Sequence, residues 1–205
     1  MPLVIDKQEK KAEILRSAMK VFAEQGVAHT KMNDVARAAG IGKGTIYEYF
    51  DSREELLHNA FEYLMKKING AVVQKVEAAD NPEEKIRAGF MAFFDFSTMQ
   101  IEDFVDILLD FWSYSIRNSG SASKFWFDMR KMYCESTSEI LSEGIENGLF
   151  KEVAVDKVAS ALIAAGDGLF LQWMADRKNF DLHGTASAVL DAFLNGIRNH
   201  RQSNN

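Results

Sequence analysis

The sequence predicts an all-α protein of about nine helices. Only two prolines, Pro2 and Pro82, occur in 205 residues. The long stretches around them are rich in Ala, Leu, Glu, Lys and Met, which favour helix over strand. Apolar residues also recur at helical spacing through most of the chain.

The first helix is expected over Lys7–Gln25, where Ile14, Leu15, Ala18, Val21 and Phe22 form one stripe and Lys10, Lys11, Glu13 and Lys20 lie off it. Gly26 stops it. Thr30 is placed to cap a short second helix, Lys31–Ala39, which ends at Gly40. A third, Lys43–Phe50, precedes Ser52-Arg53-Glu54-Glu55, whose Ser-x-x-Glu form is a capping box and a strong helix start. The fourth helix runs to about Ala79, with Asn69-Gly70 as a weak point inside it, and Asp80-Asn81-Pro82 closes it. Further helices are expected at about 82–98, 102–117, 122–147, 155–177 and 184–201, separated by turn-forming stretches such as Asn118-Ser119-Gly120-Ser121 and Asn147-Gly148.

A hydrophobic content of 47% with 11% aromatic residues supplies a real core and excludes a disordered chain. The formal net charge of −6 is unevenly spread: residues 1–60 hold nine Lys or Arg against nine Asp or Glu, so the whole acidic excess belongs to residues 61–205. A neutral head on an acidic body is able to present a basic face to phosphates. The single cysteine, Cys134, rules out an intrachain disulfide and points to a reducing compartment. With no apolar leader in Met1–Lys11 and no unbroken apolar run of about 18 residues, a cytoplasmic protein with no membrane partner is expected.

Between Met32 and Phe50 two short apolar patterns flank a glycine-containing turn, the helix-turn-helix arrangement. Ala36 is small where the helices must approach, and Gly40 can take the positive φ of a sharp turn. Val35, Ala39, Ile41 and Ile46 supply a miniature core shared with the first helix. Lys43, Gly44, Thr45, Tyr47 and Tyr49 are left outside, offering a cation, bare backbone and hydroxyls to phosphates and base edges. The glycines around Lys43 do not make a phosphate loop, which needs a Lys preceded by Gly and followed by Ser or Thr after a strand; here Gly44 follows Lys43. Nothing indicates an enzyme. His29, His58, His183 and His200 fall in no metal-ligand spacing, Cys134 has no adjacent base, and no nucleophile elbow occurs, so neither metal nor cofactor is expected.

The segment Asp34–Leu57, D-V-A-R-A-A-G-I-G-K-G-T-I-Y-E-Y-F-D-S-R-E-E-L-L, resembles the signature of the TetR family of bacterial transcriptional regulators almost residue for residue, and the likeness covers about residues 10–60. The resemblance implies a DNA-binding domain over 1–52 and a ligand-binding and dimerisation domain over 53–205. It implies that Lys43, Gly44, Thr45 and Tyr47 contact the major groove, while Thr30, Tyr49 and Arg53 fix the phosphate backbone; Lys31 joins the same set. Two positions depart from the pattern. Gly42 stands where the family usually has a Ser cap, a loss of at most a few tenths of a kcal/mol, and Arg53 replaces the usual Lys with the charge kept. The function implied is that of a repressor that binds a palindromic operator in double-stranded DNA as a homodimer and is released by a small hydrophobic or aromatic effector.

The C-terminal part holds more large apolar residues than a small bundle needs. Phe90, Phe94, Trp112, Phe125, Met129, Tyr133 and Trp173 are expected to line an effector pocket, which the resemblance implies. Asp95, Asp106, Asp110 and Asp167 are acidic groups amid apolar neighbours, any of which is able to face a cationic or hydroxylated ligand. The small residues Ala161, Ala165 and Gly168, followed by Leu169, let the eighth helix approach another closely. With Ala192 and Phe193 of the ninth they form the expected dimer interface, again implied by the resemblance.

Overall fold

A computed structural model describes residues 7–95, 102–117 and 121–199. These form α1 (Lys7–Gln25), α2 (Met32–Ala38), α3 (Lys43–Ile46), α4 (Arg53–Glu77), α5 (Pro82–Ala92), α6 (Glu102–Arg117), α7 (Ser121–Glu146), α8 (Val155–Ala175) and α9 (Leu182–Ile197). The described residues contain no strand, only an isolated antiparallel bridge between Phe150 and Arg198. The all-α expectation is met, and the long helices begin and end within a few residues of their expected limits.

The differences are local and have local causes. Thr30 does not cap α2: its hydroxyl donates back to the Gly26 carbonyl at 2.8 Å, and Asp34 accepts the Lys31 N–H at 3.1 Å instead. α3 is one turn long, because Gly44 and the β-branched Thr45 and Ile46 are weak helix formers. The chain to Phe50 then tightens through Tyr47 N–H to Gly44 and Glu48 N–H to Thr45 bonds. Asn69-Gly70 does not break α4, which runs unbroken. The fifth helix stops at Ala92, and residues 96–98 of its expected span lie outside the described residues, as do 200–201 of the ninth.

The caps follow the sequence closely. Ser52 accepts the Glu55 N–H at 3.1 Å, and Glu55 reaches back one residue further than the usual box, to the Asp51 N–H at 2.6 Å. Asn81 caps α5 by accepting the Glu84 N–H at 3.0 Å, with Pro82 at the first helical position.

Packing divides the chain into two compact units: the described parts of Met1–Lys67 with Ser97–Asp128, and of Ile68–Phe96 with Met129–Asn205. The helix-turn-helix region of 1–52 is therefore packed together with the first half of α4, with α6 and with the start of α7. In the first unit Ile14, Ala18, Val27, Val35, Ile46, Ala60 and Phe111 are fully buried. In the second, Phe94, Leu141, Ala159, Ala186, Leu190 and Leu194 play this part. One helix, α8, is by length and composition apolar enough to cross a membrane, though only 28% of its apolar window is buried. Its buried residues are Ala159, Leu162, Gly166, Leu169 and Phe170, and Asp156, Lys157 and Asp167 interrupt the remainder.

Candidate nucleic-acid interface

The helix-turn-helix is built around two sealed residues. Val35 and Ile46 are both at 0% exposure, and Ala36 at 1% lets the turn close on it, with the Ile41 N–H donating to the Ala36 carbonyl at 3.0 Å. Gly40 takes φ +64°, a conformation that side chains disfavour. With the inner side fixed, Lys43, Gly44 and Tyr47 stand outward, Tyr47 at 46% exposure, while Thr45 and Tyr49 are half-buried and Lys31 is exposed. A Cβ on Gly44 would meet no atom within 4 Å, so packing inside the chain does not require glycine there.

Thr30 and Arg53 sit differently from the other expected DNA contacts. Thr30 is 2% exposed, its hydroxyl turned inward. Arg53, at the start of α4, donates from Nε to the Thr30 carbonyl at 2.7 Å and from Nη2 to the carbonyls of Ala28, at 3.3 Å, and Val27. Its guanidinium also lies 5.5 Å from the centre of the Tyr114 ring. The guanidinium thus binds the loop that joins α1 to α2. The sequence offered no sign that Asp110, one of four acidic groups noted among apolar neighbours, holds the same loop: its Oδ2 accepts the Val27 N–H at 3.1 Å.

The expected pocket residues are distributed over both units. In the first, Trp112 and Phe125 belong to an aromatic cluster on α4, α6 and α7. Phe61 stacks on Phe111 with centroids 3.4 Å apart, Phe125 meets both edge-on, and Trp126 touches Phe61, Phe111 and Trp112. His58 packs edge-on against Phe125; its Nδ1 and the Trp126 Nε1 are buried without a hydrogen-bond partner among the described residues. In the second unit Phe90 and Phe94 touch at 5.3 Å, and Phe93 and Phe170 link them to Trp173. Met129 is buried. Tyr133 donates to Asn69 Oδ1, and burial pushes the nearby Asp167 carboxyl above its ordinary value while the Arg130 charge opposes the shift. Asp95 pairs with Lys75 at 2.5 Å, and the side chain of Asp106 lies outside the described residues.

Of the expected interface residues, Ala161 and Ala192 are exposed, and Ala165, Gly168 and Phe193 are half-buried. Leu169, at 5% exposure, belongs to the core of its own unit; Leu171, 40% exposed, is the large apolar residue on the outer side of α8.

A one-turn helix presented outward by a glycine turn, joined to a helical body rich in aromatic groups, defines a helix-turn-helix regulator. Residues 14–60 match the model of bacterial regulatory proteins of the tetR family, and residues 82–199 match that of the C-terminal region of BetI-type transcriptional repressors; the chain belongs to the TetR family of DNA-binding transcription regulators. It is 25% identical over 195 residues to a fatty acid metabolism regulator protein of Bacillus subtilis, covering 94% of this chain and 98% of that one. Among solved structures it superposes on a TetR transcription regulator from Haloarcula marismortui with a TM-score of 0.82 at 18% identity, covering 93% and 99% of the two chains. It superposes on FadR from Bacillus subtilis in complex with stearoyl-CoA with a TM-score of 0.76 at 23% identity, covering 91% and 99%.

Proposed function

We propose that this chain is a ligand-released repressor that works as a homodimer in the cytoplasm, each copy inserting α3 into the major groove at one half of a palindromic operator. The observation that carries this is the outer face of α3, where Lys43, Gly44 and Tyr47 are exposed opposite the sealed Ile46. The open space beside Gly44 gives a duplex room to reach the backbone. Lys43 and Tyr47 then supply groove and phosphate contacts, flanked by Thr45, Tyr49 and Lys31. Thr30 and Arg53 serve the phosphate side by holding its loop from behind.

One head of this size buries too little surface for tight specific binding, so two copies must read half-sites about 34–36 Å apart or a multiple of that. The outward residues of α8 and α9 support such a pairing: Ala161, Ala164, Gly168 and Leu171 repeat at helical spacing on one, and Ala188, Ala192, Phe193 and Gly196 on the other. A second copy would cover the largely unburied apolar surface of α8.

The aromatic content of the second unit suits a large apolar effector, with Asn69, Tyr133 and Asp167 offering a polar end. Since one structural relative is seen with stearoyl-CoA, a long-chain acyl compound is the first effector to test. α4 belongs to both units, so a change in its second half is carried towards the reading head, and the two heads leave register with successive grooves.

Selection of duplexes from fragmented genomic DNA by the purified protein, followed by footprinting, is expected to return a two-fold symmetric site that stearoyl-CoA releases. Ala161→Glu combined with Ala192→Glu is expected to sediment as a folded monomer without operator affinity. A wild-type chain that is monomeric and retains no duplex would overturn the proposal, whereas failure of stearoyl-CoA alone would remove only the acyl effector.

A further inference from the structure

Asp110 belongs to none of the DNA-facing or aromatic groups above, yet its carboxylate is fastened to the reading head. Oδ2 accepts the Val27 N–H at 3.1 Å, and the same oxygen lies 2.8 Å from where a Cβ on Gly26 would stand. From the other flank, the Arg53 guanidinium takes the carbonyl of that same Val27 together with those of Ala28 and Thr30. Val27 is therefore held at both its peptide groups, the N–H by an anion from α6 and the carbonyl by a cation from α4. Tyr114, one helical turn along α6 from Asp110, lies under the same guanidinium. Gly26 adopts φ +80° at the bend, and Thr30 closes the loop on itself through its bond to the Gly26 carbonyl. Lys31 follows at once and begins the turn into α2, whose end sets α3 through the Ile41 N–H to Ala36 bond.

We propose that Asp110 is a positioning residue for operator binding: by holding Val27 against Arg53, it sets the angle at which α2 and α3 leave the loop, without touching DNA itself. Hydrogen bonds to a charged group are stronger than neutral ones. A loop fixed on both sides also has less orientational freedom to lose when it docks. The inference rests on the operator-binding role proposed above and assigns to it a residue that the groove does not touch.

The sign of one substitution separates this role from electrostatics. Asp110→Ala removes a negative charge from a unit that approaches phosphates, so Coulomb forces alone would tighten DNA binding. Positioning demands the opposite. With the duplex returned by the genomic selection, Asp110→Ala is expected to bind about tenfold more weakly, while its affinity for random-sequence duplex stays level or rises. Asp110→Asn keeps an acceptor for the Val27 N–H and is expected to recover most of the loss. Amide hydrogen exchange at Val27 should quicken in Asp110→Ala and not in Asp110→Asn, with both variants unfolding at the wild-type temperature within a few degrees; Asp110 is exposed, so neither change disturbs the core. Unchanged or tighter binding to the selected duplex by Asp110→Ala, or an unaltered Val27 exchange rate, would overturn the inference and leave the operator-binding role standing. A wild-type chain that retains no duplex would overturn that role first, and the inference with it.

Discussion

Tyr133, on α7, donates its phenolic hydrogen to Oδ1 of Asn69 on α4. Burial pushes the phenol up to about 12, and the negative charge of Asp167 adds to the shift. The folded chain thus holds this proton more tightly than the unfolded one. The resulting stability is complete below the ordinary tyrosine value of 10.0 and is lost as pH rises through about 12. Denaturant unfolding followed from pH 9 upward should show wild type losing stability more steeply than Tyr133→Phe across that window. Parallel curves would contradict it.

The ion pair between Arg198 and Glu83 gives the opposite dependence. Arg198 donates from Nε to Glu83 Oε2 at 2.8 Å and from Nη2 to Oε1, and this pairing holds the Glu83 carboxyl below its ordinary value of 4.5. Its contribution is present above that value and fades as pH falls through the lowered one. Glu83→Gln should reduce the thermal midpoint at neutral pH by a few degrees at most, because the pair is partly solvated. The gap from wild type should close in acid. A midpoint difference that persists unchanged at pH 3 would show that the charge is not responsible.

Gly144 lies against the ring of Phe150, and a Cβ there would overlap it. Phe150 is 2% exposed, so its ring is enclosed by the core and can shift only by displacing neighbouring side chains. Gly144→Ala is expected to destabilise the chain by about 1–3 kcal/mol, the usual cost of overpacking, despite the better helix propensity of alanine. An equal or higher unfolding midpoint would show that the ring relocates freely.

On the reading head, Lys43→Ala should weaken binding to both selected and random duplexes and lower the salt slope by about one unit. Tyr47→Ala should act mainly on the selected duplex. Neither side chain is buried, so thermal midpoints should stay near wild type. Full affinity in Lys43→Ala at stated salt would remove that residue from the interface.

Much of the fold was legible because long helices announce themselves twice, by periodic apolar residues and by their caps. Ser52, Asn81 and Gly148 all stand at the ends that local chemistry assigns them. α3 was harder, since Gly44, Thr45 and Ile46 carry weak helical propensity and the turn after them is held by three-residue bonds. Within the site, the outward set of Lys43, Gly44 and Tyr47 follows from the sealing of Ile46, which the apolar pattern shows. The inward engagement of Thr30 and Arg53 does not, because it depends on carbonyls more than twenty residues away from Arg53. Asp110 was still less accessible: its partner lies 83 residues away, and its own neighbours on α6 say only that it is the polar side of an amphipathic helix.

The bridge at Phe150 and Arg198 has a practical corollary for handling the molecule. The Lys151 N–H donates to the Ile197 carbonyl and the Asn199 N–H to the Leu149 carbonyl, both at 2.9 Å, while Arg198 also grips Glu83. A purification handle or reporter fusion therefore belongs beyond Asn199. Cutting the chain before Arg198 would strip the start of α5 of its cation and remove the Asn199 bond to the Leu149 carbonyl in a single stroke.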